Sequence, residues 1–312
     1  MLRGLWEAPI DGGAPHALFT AEYGLDSFAP SPDGSQIAVA VRTATPTVDI
    51  WLIEADGSNP RKVVDCAPDG CGGLAWSPDG RLLAYELRER GGLPSRVWLY
   101  DLDTGETAPV FQDRQVLGYA PTWSPDGSRL AFYDASVEGI RVLDLDSGAV
   151  AVIPSLMGEV GSFAPDGAQM VYADIRRVGR QFVPELWLAD LSADGGLAPL
   201  LEDGQDDQGS AWSPDGGLIA LGRHNLEEGA AGVATGRQLV LYDVASGALR
   251  PVTNDPAYNN TRFVWDPTGG WLLIQRYRLT EQFASPEIWV YDVAGGVLRQ
   301  IAESGIDGGW LP

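Results

Sequence analysis

A four-residue string, Ser-Pro-Asp-Gly or a near copy of it, recurs along almost the whole of this 312-residue chain. It stands at Ser31–Gly34, Ser77–Gly80, Ser124–Gly127, Ala164–Gly167 and Ser213–Gly216, with a degenerate copy at Asp266-Pro267-Thr268-Gly269. The spacings between successive prolines are 46, 47, 40, 49 and 53 residues. Proline presets φ at the second position of a tight turn and Asp-Gly closes it, so the string reads as one connection used repeatedly. A period of this length marks a stacked or radial repeat and narrows the fold more than any other feature.

A second element alternates with the turn. Short β-rich runs end in an acidic residue and are followed by glycine and another apolar run: Ile50–Glu54, Val97–Asp101, Ile140–Asp144, Leu186–Asp190, Leu239–Asp243 and Ile288–Asp292. These read as hairpins of a strand c and a strand d. Before each Pro-Asp-Gly turn a strand a ends in an aromatic, at Trp76, Trp123, Phe163, Trp212 and Trp265. After the turn comes strand b: Gln36–Ala40, Leu82–Glu86, Arg129–Tyr133, Gln169–Ala173, Leu218–Gly222 and Trp271–Gln275. Four short strands every ~45 residues are the signature of a β-propeller blade. At the N-terminus Leu5–Pro9 with Asp11–Gly13 resembles a seventh c–d hairpin, and Trp310-Leu311-Pro312 repeats the aromatic-x-proline end of strand a. The expected fold is therefore all-β, a single domain over residues 1–312. It is a seven-bladed β-propeller of four-stranded antiparallel blades, the last blade closed by N- and C-terminal strands. Its missing strand b would precede Met1, and six complete blades is the alternative.

Trp76–Tyr85 and Trp123–Phe132 both read W-S-P-D-G-x-x-L-A-[FY], and hairpins such as Ile288-Trp289-Val290-Tyr291-Asp292 follow the turns. This pattern resembles that of the TolB-like propellers, the family with a WD40-like Pro-Asp-Gly repeat. The resemblance implies a non-enzymatic, exported binding or scaffold propeller that recruits a protein or a small ligand, located outside the cytoplasm in the periplasm, at the cell surface or secreted. Similar propellers precede prolyl-oligopeptidase-type domains, but no G-x-S-x-G nucleophile elbow occurs here. A role as a subunit of a larger envelope assembly is a further option.

Composition narrows the chemistry. With 21 basic against 43 acidic residues the formal net charge is −22, which excludes a nucleic-acid partner held by phosphate contacts. No apolar run is long enough to span a membrane, so no membrane insertion is expected. The only two histidines, His16 and His224, cannot form a multi-histidine metal site of the kind oligogalacturonate lyases use. Residues 1–20 contain no signal-peptide apolar run. Cys66 and Cys71 flank Ala-Pro-Asp-Gly and are expected to form a disulfide, which implies an oxidising compartment.

Two groups of candidate functional residues follow from blade geometry. The b–c connections, read as long loops over 88–95, 174–184, 223–236 and 276–285, carry much of the scarce positive charge. Arg88, Arg90, Arg176, Arg177, Arg180, Arg276 and Arg278 are thus the candidate partner-binding residues. At the start of each strand a, Asp26, Tyr119, Glu159, Asp207, Asn260 and Asp307 would approach the mouth of a central channel. No cofactor is required; Ca²⁺, which needs six to eight oxygen ligands and no histidine, is an ion that carboxylates converging there could hold. Carboxylates there could alternatively act as the acid and base of a polysaccharide lyase or glycoside hydrolase.

Overall fold

The computed structural model describes residues 2–45, 47–89, 94–192, 195–224, 236–280, 285–306 and 308–311. Every regular element among them is a β-strand. The strands fall into successive antiparallel meanders in which a, b, c and d are neighbours in chain order. The first repeat takes its strand a from the end of a long strand, His16–Pro30, followed by Gln36–Arg42, Val48–Glu54 and Arg61–Val64. The second runs Gly70–Trp76, Leu82–Arg88, Arg96–Asp101, Thr107–Pro109, and a single parallel pair, Val48 with Gly70, joins it to the first. The third is Tyr119–Trp123, Arg129–Asp134, Gly139–Asp144, Val150–Pro154; the fourth is Ser162–Phe163, Gln169–Val178, Gln181–Asp190, Leu197–Pro199. The fifth and sixth are Asp206–Trp212, Leu218–His224, Gln238–Asp243, Leu249–Pro251 and Tyr258–Trp265, Trp271–Arg278, Glu287–Asp292, Val297–Ala302.

The chain divides into two compact units. One comprises Met1–Ala8, Ala14–Pro154 and Gly309–Pro312; the other comprises Pro9–Gly13 and Ser155–Gly308.

The turn string works through its serine. In four copies the serine hydroxyl donates to the aspartate carboxylate two residues on, at 2.5–2.6 Å from Ser31, Ser77, Ser124 and Ser213. The same oxygen accepts the first amide of strand b, from Gln36, Leu82, Arg129 and Leu218, at 2.9–3.0 Å. Glycine closes each turn with a positive φ of 68–78° at Gly34, Gly80, Gly127 and Gly216, which a side chain would oppose. Asp266 replaces the serine in the sixth repeat, and its carboxylate accepts from Trp271 N at 2.6 Å instead. In the fourth repeat Ala164 has no hydroxyl, so both serine bonds are lost; the backbone bonds of the turn and the Asp166 contact to Ala168 N at 2.9 Å remain.

Neighbouring repeats are fastened where strand a ends. The indole N–H of Trp76 donates to Ala29 O at 2.9 Å and that of Trp123 to Ala75 O at 3.1 Å. In the other unit Trp265 does the same to Ala211 O at 2.9 Å, whereas Trp212 turns to its own turn at Gly216 O, 3.2 Å away. Strand b is packed on both sides, so Ile37–Ala40 are all at most 1% exposed. This explains why strand b is a continuous apolar run rather than an alternating one.

The N-terminal hairpin forms as expected: Leu2–Glu7 pairs with His16–Pro30, Glu7 opposite His16. The C-terminal expectation is corrected. Residues 308–311 are not a strand; Leu311 instead packs against the cluster of Leu5, Leu25 and Ile37, behind the paired glycines Gly308 and Gly309 that offer no side chain to a ladder. The limits of the b–c loops are corrected too. Residues 174–184 are mostly ladder, from Asp174 opposite Glu185 to Val178 opposite Gln181. Arg88, Arg223, Arg276 and Arg278 likewise lie within strands b, because pairing continues past the apolar run, with strand c at Arg223 and Arg276 and with strand a at Arg88 and Arg278.

The turn serine predicts a gain of function in stability. Ala164→Ser restores both hydrogen bonds and should raise the unfolding free energy by about 0.5–1.5 kcal/mol in urea titration. Trp265→Phe, which strands the Ala211 carbonyl, should lower it by about 1–3 kcal/mol. The turn carboxylates also set an acid limit. The Ser31 hydroxyl, then the Ser35 amide and hydroxyl, hold Asp33 down to about 2, and the Ser77 and Ser213 hydroxyls lower Asp79 and Asp215. A depressed folded-state pKa contributes stability above the unfolded value near 4, and that contribution is lost as pH falls towards 2. The Tm should therefore drop between about pH 4 and pH 2, and Asp33→Asn should make that decline shallower.

Candidate binding surface

In the first unit the charged residues at the b–c end form a relay. Asp26, half-buried at the irregular start of strand a, is paired with Arg42, and Arg88 Nη1 donates to its Oδ2 at 2.9 Å. Arg88 Nε donates to Glu86 Oε2 at 3.1 Å, and Glu86 Oε1 accepts Ala120 N of the third repeat at 2.9 Å. Burial works against the Arg88 charge, but Asp26 and Glu86 outweigh it and raise its pKa. Strand a of the second repeat must pass close by. A Cβ on Gly72 would lie 2.5 Å from both Arg88 Nη2 and Asp26 Oδ2, and one on Gly73 2.3 Å from Glu86 Oε1. Tyr119 begins the next strand a with its ring 5.3 Å from that of Tyr133, and burial raises its phenol pKa.

The second unit repeats the theme with other residues. Arg223 holds the buried Asp207 through two bonds, Nε to Oδ1 at 2.8 Å and Nη2 to Oδ2 at 2.7 Å, and reaches Asp203 at 2.8 Å. Burial disfavours the Arg223 charge, yet Asp207 and Asp203 hold its pKa above the usual arginine value. Arg176 pairs with Glu185 at 2.8 Å, and Arg278 with Glu287. Arg276, only 2% exposed, lies 4.0 Å from the Tyr258 ring centre and 4.7 Å from that of Trp289, with Asp255 3.7 Å away. Aromatic faces offset part of the cost of burying such a cation. Asn260 is fully buried and donates Nδ2 to Arg237 O at 2.7 Å. Glu159 is exposed in the connection before Ser162. Arg90 and Asp307 lie outside the described residues.

A set that the sequence reading missed holds these connections in place. The residue five before the acidic end of strand c is buried and polar in five repeats: Asp49, Arg96, Glu185, Gln238 and Glu287. Asp49 accepts Cys66 N at 3.1 Å, and Arg96 donates to Phe111 O at 2.6 Å. Gln238 donates to Tyr258 O at 3.0 Å and accepts Asp255 N at 3.0 Å. Glu287 accepts the Trp289 indole at 2.8 Å and the Tyr258 hydroxyl at 3.1 Å. The signal was a polar side chain at constant offset in an apolar strand.

Cys66, in the connection after Arg61–Val64, is bonded to Cys71, the second residue of the strand Gly70–Trp76, and both are buried. Among the described residues no three His, Cys, Asp or Glu side chains gather as a metal site. Among those residues, too, no helix is long and apolar enough to cross a membrane.

Residues 19–215 match the TolB beta propeller domain family. The chain belongs to this family. Within the TolB beta propeller family, the Tol-Pal system protein TolB of Alcanivorax borkumensis is 45% identical over 56 residues, 18% of this chain and 12% of its own length. The uncharacterized peptidase YuxL of Bacillus subtilis is 23% identical over 221 residues, covering 66% of this chain and 29% of that protein. The chain thus spans less than a third of either relative. Among solved structures, TolB from Acinetobacter baumannii superimposes with a TM-score of 0.57 at 20% identity, covering 88% of this chain and 65% of that one. An oligogalacturonate lyase in complex with manganese gives 0.58 at 16% identity, covering 96% and 74%. The β-propeller domain of the Trilobed protease from Pyrococcus furiosus gives 0.65 at 14%, covering 90% and 84%. At such identities the likeness is one of fold.

The disulfide closes a short ring, and on the chain-entropy account it contributes about 2 kcal/mol. Cys66→Ser/Cys71→Ser should lose that amount in urea titration, and thiol titration of the denatured parent protein should find no free thiol.

Proposed function

We propose that this chain is a non-enzymatic, exported binding propeller that recruits a protein partner through its b–c face. In this reading residues 1–312 form a single domain of seven blades, the N-terminal hairpin supplying strands c and d of the seventh. Within the second unit Arg299 Nη1 donates to Ile10 O at 2.9 Å, which ties Pro9–Gly13 to the last strand d. The oxidising compartment that the Cys66–Cys71 bond requires supports export.

One observation carries the choice of binding over catalysis: among the described residues Asp26, Glu86, Asp207 and Glu287 at the b–c end are taken up by guanidinium groups, a backbone amide or an indole. A glycosidic acid–base pair needs two carboxyl groups facing a substrate, one of them free to protonate a leaving oxygen. Asp207 has both oxygens on Arg223, and Glu86 has one on Arg88 and one on Ala120 N. Such pairs hold strands in register and leave little acid or base to spend on substrate.

Two measurements test the reading together. Cross-linking in the envelope fraction of the native cell should join the protein to a specific protein partner, and charge reversal on the b–c face should abolish the cross-link. Incubation with oligogalacturonate and other acidic glycans, with and without Mn²⁺ or Ca²⁺, should yield no unsaturated or reducing ends. Appearance of such products, lost in Asp207→Asn, would refute the proposal in favour of a lyase or hydrolase.

A further inference from the structure

The fourth repeat departs from the others at its b–c end. Its strands b and c are 10 residues each, against 6–8 residues for strand b in the other repeats. They meet in a tight turn of Gly179 and Arg180, Gly179 having a φ of +63°. Past the Arg176–Glu185 pair the ladder continues with Arg177 directly opposite Phe182. Alternate pairs share a face, so Arg177 and Phe182 lie on the same side as Ile175 and Pro184. On that side the lower part of the hairpin contributes Val171, Ala173 and Leu186 to the core. At the tip the apolar face runs out of cover: Phe182 is 72% exposed, the highest value for a large apolar side chain among the described residues.

The charge of the tip is opposite to that of the molecule. Residues 175–184 contain three arginines and no acidic residue, in a chain of net charge −22. Arg176 is neutralised by Glu185. Arg177 gives its Nε to Gly179 O at 3.1 Å, and among the described residues neither it nor Arg180 has a carboxylate partner. An aromatic flanked by arginines has the composition of an interface hot spot, and on a hairpin paired residue by residue to its tip the backbone has little freedom to lose when it is covered. The acidic body repels extended polyanions such as nucleic acid or an anionic bilayer, so the positive tip suits a short acidic stretch.

We propose that this hairpin tip docks an acidic segment of a partner protein, whose carboxylates meet Arg177 and Arg180 while an apolar side chain packs on the Phe182 ring. The proposal rests on the protein-binding reading above and names the partner's chemistry. The test is selection of a phage-displayed random peptide library on the immobilised full chain, followed by fluorescence anisotropy of the enriched peptides. The expected peptides are rich in Asp and Glu around an aromatic or leucine. They should bind Arg177→Glu/Arg180→Glu and Phe182→Ser at least about tenfold more weakly, with the Tm of both variants unchanged. Enriched peptides without an acidic bias, or binding equally to both variants, would overturn the tip as the site. If those peptides were instead lost on Arg88→Glu, the wider b–c face reading would survive. Binding of phosphatidylglycerol vesicles that disappears in the same two variants would overturn the acidic segment in favour of a membrane.

Discussion

The architecture depends on one hydroxyl group used several times. In the turn between strands a and b the serine oxygen donates to the aspartate and accepts the first amide of strand b, so a single atom aligns two strands. The aromatic just before that serine then carries its indole N–H to the preceding repeat, where Trp123 meets Ala75 and Trp76 meets Ala29. Register within a repeat and spacing between repeats are thus set within two adjacent residues. Burial of strand b on both faces follows from that spacing, and with it most of the apolar core.

The opposite end of each meander is governed by charge. Of the 43 acidic residues, many lie in exposed turns, but a smaller group is buried and paired with the few arginines. Those pairs are costly to desolvate and add little net stability, but they penalise alternative registers strongly, because a slip leaves a buried charge without its partner. Gly72 and Gly73 show how closely the backbone is matched to them, since any side chain there would collide with Asp26, Arg88 or Glu86. The polar residues five before the end of strand c extend the same logic to the backbone of the connecting loops. A scaffold stiffened at this end can present a loop or hairpin tip with little freedom left to lose.

Most of the strand plan was legible because period and turn chemistry are local. Every run assigned to strands b and c of the six repeats is a strand, and Trp76, Trp123, Phe163, Trp212 and Trp265 each close a strand a. The ends of strands were less legible. Asp174–Val178 and Gln181–Pro184 are polar or Pro-containing, without the apolar alternation that marks a strand; they are held by pairing with each other. The arginines were legible as scarce charges but not as partners, since Arg88 lies 62 residues from Asp26. Trp310 and Leu311 carried a strand-like motif, and packing rather than pairing decided their role.

What the sequence alone determined is the repeated unit: a turn whose serine, proline, aspartate and glycine each satisfy a local requirement, and strands whose apolar runs match double-sided burial. These are interactions among residues a few positions apart, so they can be read along the chain. Only the tertiary structure decided which carboxylate each arginine neutralises, which of those charges are buried, and where the positive surface is left over. Electrostatic pairing depends on distances in space between residues far apart in sequence. Arg276 between two aromatic rings and Arg177 at an open tip therefore look alike in the sequence and differ in the fold.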